Sequence, residues 1–253
     1  MLESKKILVA GAAGLLGATL VKELLAQGAK VVAADISLER LNTRLAGLGI
    51  CPDNADVIRQ QIDLSDKTAV TAMFAQLDGL TGAVNCSYPR NESYGKHFFD
   101  VTLEDFNENI SLNLGSSFLF MQQCAAYFKR TETPFSLVNI SSVYGVIAPK
   151  FEIYDHTPMT MPVEYAAIKA ALLHLSKYVA SYVSDSRFKV NCVSPGGIFD
   201  NQPESFLKAY KNHTLGKGML DVKDVCGCIM FFLSEQSNLI NGQNLIIDDG
   251  FSI

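Results

Sequence analysis

Apolar residues follow two rhythms along the chain. Short β-branched runs read as strands: KILVA ending at Ala10, KVVAAD (30–35), a strand within ADVIRQQID (55–63), GAVNC (82–86), FSLVNIS (135–141), FKVNCVS (188–194) and QNLIIDD (243–249). Longer runs with apolar positions every three to four residues read as helices: LLGATLVKELLAQ (15–27), stretches from Ser37 and from Ser65 with Ser65 as N-cap, Thr102 to Lys129, Pro162 to Val183, and VKDVCGCIMFFLS (222–234). This alternation predicts an α/β fold, a Rossmann-like, doubly wound, seven-stranded parallel sheet with helices on both faces. No linker or repeat divides residues 1–253, so one domain is expected. One stretch, 145–161, has no period and carries Pro149 and Pro158, with Pro162 just beyond. A loop of that length in a compact domain is expected to be functional or mobile.

Composition narrows the function classes. Apolar residues make up 48%, charged residues 19%, and the net charge is −5. Cations are scattered rather than clustered, which argues against a nucleic-acid partner. No uncharged apolar run reaches the roughly 18 residues of a membrane helix. The opening MLESKK leads into a strand without a signal-peptide core, so a cytoplasmic protein is expected. Most of the six cysteines sit in apolar runs, and Cys226 and Cys228, two apart on a helix, face different directions. No metal is expected.

The first strand is followed by GAAGLLG, with Gly11, Gly14 and Gly17 opening a helix. In that context glycine lets the chain turn sharply and lets phosphate oxygens approach backbone N–H groups, here those around Ala13, Leu15 and Leu16 at a positive helix end. Packing glycines in an ordinary strand–helix turn are the plain alternative. Asp35 ends the second strand and Ile36 follows. A carboxylate there accepts hydrogen bonds from ribose hydroxyls and repels a 2′-phosphate, favouring NAD(H), unless it merely caps the next helix. Asp63 with Leu64 is a similar candidate beside adenine, with helix capping as its alternative.

Tyr165 and Lys169 form Y-x-x-x-K, and residues four apart share a helix face. A tyrosine titrating near pH 10 is a poor catalyst at neutral pH, and a neighbouring ammonium stabilises its phenolate. Tyr165 is the only tyrosine followed by lysine at that spacing. It opens a long helix after a strand ending in Ser141 and Ser142, either of which can steady charge on a substrate oxygen or simply cap the loop.

The ordered set GAAGLLG (11–17), NCSY (85–88), Asn113 in SLNLG, SS (141–142), YAAIK (165–169), SPGGI (194–198) and DDG (248–250) resembles the single-domain, roughly 250-residue branch of the short-chain dehydrogenases/reductases. The resemblance implies Asn113, Ser142, Tyr165 and Lys169 as the catalytic set. It adds Asn85, Pro195, Gly196, Gly197 and Ile198 to the cofactor contacts, along with Tyr165 and Lys169 themselves. Asn113 would hold a water linking Lys169 to solvent, unless it only kinks its helix. The implied chemistry is hydride transfer between a substrate carbon and nicotinamide.

Several positions depart from the family pattern. The glycines are spaced G-x-x-G-x-x-G, N-N-A-G has become Asn85-Cys86-Ser87-Tyr88, and Asp200 stands where threonine is expected. The stretch 148–160 lengthens the segment between Ser142 and Tyr165. It is expected to line a site for a polar substrate, with Tyr88, Arg90, Lys96 and Lys150 as candidate contacts to a phosphate or carboxylate, and solvated loop charges as the alternative. His97 and His156 read as surface residues. YPRN…YGKHF, YGVIAPKFEIY, MTMPVEYAAIK and SPGGIFDNQPE resemble oxidoreductases of bacterial flagellin-glycan and nonulosonic-sugar pathways, implying a phosphorylated or nucleotide-linked sugar. A general ketoreductase, for instance on carrier-bound acyl groups, and a catalytically silent NAD-binding regulator are the other two readings. The helices 102–129 and 162–183 carry apolar residues on more than one face, and the family pairs through them, implying a homodimer or homotetramer.

Overall fold

A computed structural model describes residues 1–253. Seven strands form one parallel sheet in the order β3-β2-β1-β4-β5-β6-β7: β1 (Lys6–Ala10), β2 (Lys30–Asp35), β3 (Val57–Gln61), β4 (Gly82–Asn85), β5 (Phe135–Ile140), β6 (Phe188–Pro195) and β7 (Asn244–Ile247). The order reverses between β1 and β4, which leaves a crevice at their carboxyl ends, where α/β sheets bind ligands.

Helices α1 (Leu15–Ala26), α2 (Leu38–Gly47) and α8 (Val222–Leu233) bury one sheet face around Ile7, Val9, Leu20, Leu24, Val84 and Ile229. Helices α3 (Lys67–Gln76), α5 (Ser116–Thr131) and α6 (Val163–Val183) cover the other, around Leu8, Phe74, Phe120, Phe135 and Phe188. Burial on both faces is why the strands read as continuous apolar runs.

Three sequence expectations need correction. Ser65 does not cap α3; Asp66 does, accepting from Thr68 and Ala69 N–H. The helix expected over 102–129 is α4 (Leu103–Asn109), a π turn (Ile110–Gly115) and α5. Helix α7 (Glu204–Lys211) has no counterpart among the expected elements. The stretch 145–161 follows a 3-10 turn at Val143–Gly145 and carries another at Phe151–Tyr154, and Ile153 is buried in a third, smaller core with Val143, Tyr144, Phe206, Tyr210 and Phe251.

Candidate active site

The carboxyl edge of the sheet gathers most of the sequence candidates. After β1, the glycine loop turns into α1, and a Cβ on Gly17 would lie 2.2 Å from the Gly11 carbonyl oxygen. Only glycine lets the helix start that close to the strand. Side chains cap α2, α3, α4 and α8, through Ser37, Asp66, Thr102 and Asp221, whereas none caps α1, α5, α6 or α7, and of these α1 alone starts at the glycine loop. The backbone donors of Leu15, Leu16 and Gly17 therefore stand at an uncapped positive helix end, which suits a pyrophosphate.

Asp35 closes this loop. Its carboxylate accepts from Ala13 N–H at 2.9 Å and from Ser37 N–H at 3.3 Å. Ser37, not Asp35, is the N-cap of α2. Each carboxylate oxygen retains a further acceptor position for a ribose hydroxyl. Ile36 beside it is exposed and Leu64 is buried. Asp63 is exposed and accepts from the Ser65 N–H and hydroxyl on its own loop, and is not a helix cap. Asn85, at the end of β4, donates to Ser117 and accepts from Ser87. The residues present thus fit a dinucleotide: free backbone donors for phosphates, a carboxylate for ribose, and a crevice at the strand reversal.

The catalytic candidates converge next to it. Ser141 and Ser142 separate in role. Ser141 Oγ donates to the Lys169 carbonyl at 2.7 Å and ties β5 to α6. Ser142 Oγ accepts from Tyr144 N–H and also lies against the Tyr165 phenol. Gly145 makes this approach possible, since a Cβ there would sit 2.7 Å from the Lys169 backbone. Burial pushes the Tyr165 phenol up, and Ser142 partly opposes it. Lys169 is only 5% exposed. Its ammonium donates to the Ile140 carbonyl at 2.7 Å, and burial pushes it down to about 8, with Cys86 and Cys192 opposing. Asn113 lies within the π turn, buried, its amide 3.4 Å from the Pro89 carbonyl. π turns of this kind recur at functional sites.

The segment after β4 brings Tyr88 against Tyr165, edge to face at 5.5 Å. Tyr94, which sequence reasoning missed, hydrogen-bonds the Tyr88 hydroxyl, and the Arg90 guanidinium lies 5.6 Å from the Tyr94 ring. Arg90 is exposed and forms no ion pair. Lys96 is a correction: it pairs with Asp105 at 2.7 Å, so its charge is already neutralised. Lys150 is another: its ammonium donates to the Phe251 carbonyl at 2.8 Å and covers the Phe251 ring, pinning the last residues rather than awaiting a ligand. His97 and His156 are exposed.

On the far side of Tyr165, Tyr154 and Tyr144 complete the wall. The Tyr144 hydroxyl is buried without a hydrogen-bond partner. Tyr210, from α7, accepts from Gly197 N–H at 2.6 Å and stacks on Phe251 at 4.4 Å. Gly196 and Gly197 thus share one packed unit with α7, Pro195 pairs with Ile247 of β7, and Ile198 pairs with Leu220. No local period announces Tyr94, Tyr154 or Tyr210.

No helix is long and apolar enough to cross a membrane. The family described as enoyl-(acyl carrier protein) reductase matches residues 11–252. The chain is 35% identical over 261 residues to a post-translational flagellin modification protein A from Campylobacter coli, covering 100% of both. It is 27% identical to a 7alpha-hydroxysteroid dehydrogenase from Bacteroides fragilis, over 99% of this chain and 95% of the other. A short-chain dehydrogenase from Leptospira borgpetersenii, solved with bound NAD+, superposes with a TM-score of 0.87 at 30% identity, covering 99% of this chain and 94% of that one. With the nucleotide crevice and the serine–tyrosine–lysine grouping in place, the chain belongs to the short-chain dehydrogenases/reductases, oxidoreductases that use a nicotinamide cofactor.

Proposed function

We propose that the protein is an NAD(H)-dependent oxidoreductase that interconverts a secondary alcohol and its ketone on a phosphorylated or nucleotide-linked sugar of bacterial surface-glycan assembly. The observation that carries the chemistry is the meeting of Ser142, Tyr165 and Lys169 at the strand ends, beside a glycine loop closed by Asp35. The relative from Campylobacter coli, a flagellin modification protein, supports a role in modifying a surface structure. Free donors on Arg90 support an anionic substrate.

The uncapped start of α1 binds the pyrophosphate, Asp35 the adenosine ribose, and Lys169 the nicotinamide ribose. A nicotinamide held there would supply or accept the hydride that the substrate carbon gains or loses. Ser142 steadies the substrate oxygen. Tyr165 Oη gives that oxygen a proton in reduction and takes one in oxidation. Burial pushes the phenol up, which favours proton donation in reduction, and oxidation depends on the charged Lys169 to ease proton removal. Asn113 links Lys169 to solvent through a water. The apolar side chains that α5 and α6 expose, Phe118, Tyr178 and Tyr182, form the pairing surface of a homodimer or homotetramer.

Fluorescence titration with NADH and NADPH, on wild type and Asp35→Ala, tests the assignment. NADH is expected to bind at least about tenfold more tightly, with the preference lost in the variant. Tighter NADPH binding overturns the cofactor choice, and binding of neither overturns the enzyme reading. Sugar phosphates and nucleotide sugars are then screened, with Tyr165→Phe as inactive control, expected to lose about 10²–10⁴-fold in rate.

A further inference from the structure

Lys169 is a buried cation without an anion. No carboxylate pairs with it; it has one hydrogen bond, to the Ile140 carbonyl. The groups facing it are Cys86 from the end of β4, Cys192 from β6, Tyr165 from its own helix and Tyr88 from the segment after β4. The ammonium lies 5.2 Å from the Tyr88 ring centroid and 5.6 Å from that of Tyr165. Tyr88 occupies the position where the family motif has glycine, so the chain carries a ring where that motif has no side chain.

The ring is held in place from several directions. Its hydroxyl bonds Tyr94, its edge meets Tyr165, and Arg90 lies 5.9 Å from its centroid, on the exposed rim. The segment itself is anchored: Asn91 exchanges hydrogen bonds with Asn109 at 3.0 Å, and Asn109 donates to Glu164 at 3.1 Å. Glu164 is fully buried, its second oxygen has no partner, and it directly precedes Tyr165. A buried, half-satisfied carboxylate is costly and persists where the surroundings fix it. The anchor therefore sets Tyr88 relative to the first turn of α6.

We propose that Tyr88 is a positioning residue that roofs the Lys169 ammonium against water and keeps it aligned with Tyr165. Two opposing effects follow from taking the ring away. Loss of the ring face removes a modest cation–π attraction. Entry of water restores hydration, and withholding hydration from a buried ammonium costs far more than the ring returns, so hydration wins. Without the roof, Lys169 returns toward its ordinary value of 10.5.

The proposal rests on Lys169 meeting the nicotinamide ribose, and the test separates the two. NADH affinity is measured by fluorescence from about pH 6.5 to 10. In wild type it weakens as pH rises through about 8, where Lys169 loses its charge. Tyr88→Leu is expected to move that midpoint up by about one pH unit or more, whereas Tyr88→Phe, which keeps the ring, leaves it in place. A Tyr88→Leu midpoint within about 0.3 of wild type, even with weaker binding overall, overturns the proposal. Lysine ¹³Cε shifts in the cofactor-free wild type, assigned with Lys169→Met, give a second measurement that needs neither NADH nor a stable Tyr88→Leu. Titration of Lys169 near 10.5 in wild type overturns the roof, and titration near 8 supports it.

Discussion

The two halves of the crevice are built by opposite means. On the β1–β2 side the chain presents backbone. Glycine removes side chains, α1 starts without a cap, and one carboxylate, Asp35, holds the loop shut. On the β5–β6 side it presents rings. Tyr144, Ile153, Phe206, Tyr210 and Phe251 form a separate small core against which Tyr165 packs. A backbone cradle suits an invariant ligand such as a dinucleotide. A wall of side chains suits a ligand that changes between relatives, because each ring can be exchanged without moving the sheet.

The sharpest break of this contrast is Gly17→Ala. Its Cβ has no room beside Gly11, so about 4 kcal/mol or more of stability in urea unfolding is expected to be lost, together with NADH binding. On the ring side, Ile153→Ala is expected to cost about 2–5 kcal/mol and to weaken NADH binding far less than Gly17→Ala does, since the third core meets the cofactor contacts only through Tyr165 and the Tyr210–Gly197 hydrogen bond. Loss of NADH binding in Ile153→Ala as complete as in Gly17→Ala would show that the halves are coupled. Lys169→Met tests the seam between them. Burial lowers the lysine to about 8, so its charge destabilises the fold below that pH, and the penalty disappears as pH rises toward 10.5. The variant is expected to gain about 2 kcal/mol at pH 7, after the lost hydrogen bond to Ile140 is counted, and to show no gain above about pH 10. The smallest effect is Gly14→Ala, whose Cβ would sit 3.2 Å from the Gly11 carbonyl oxygen, with a loss below about 1 kcal/mol.

This division also explains what could be read from the sequence. The strands, the glycine loop, Asp35 and the Tyr165–Lys169 spacing rest on local periods and turn chemistry, and each lies where the pattern put it. Lys96 and Lys150 looked like free cations, because only tertiary structure reveals that Asp105 and the Phe251 carbonyl already hold them. The 145–161 stretch looked irregular because its apolar residues answer to Phe206 on α7 and Phe251 near the C-terminus, not to neighbours in sequence. Tyr94 is legible only through its partner Tyr88.

The π turn at Ile110–Gly115 has a consequence for how this site can change over generations. A π turn holds one residue more than regular α-helix needs over the same span, so α4 and α5 are out of phase by that residue. Deleting any one residue there would give a smoother, intrinsically better helix. It would also rotate everything on one side of the cut by about 100° and swing Asn113 off the crevice or α4 off its anchor at Asn91. Gene-length drift through this stretch is therefore barred from the direction that local stability favours, and single-codon deletions at 110–115 should be absent among active variants.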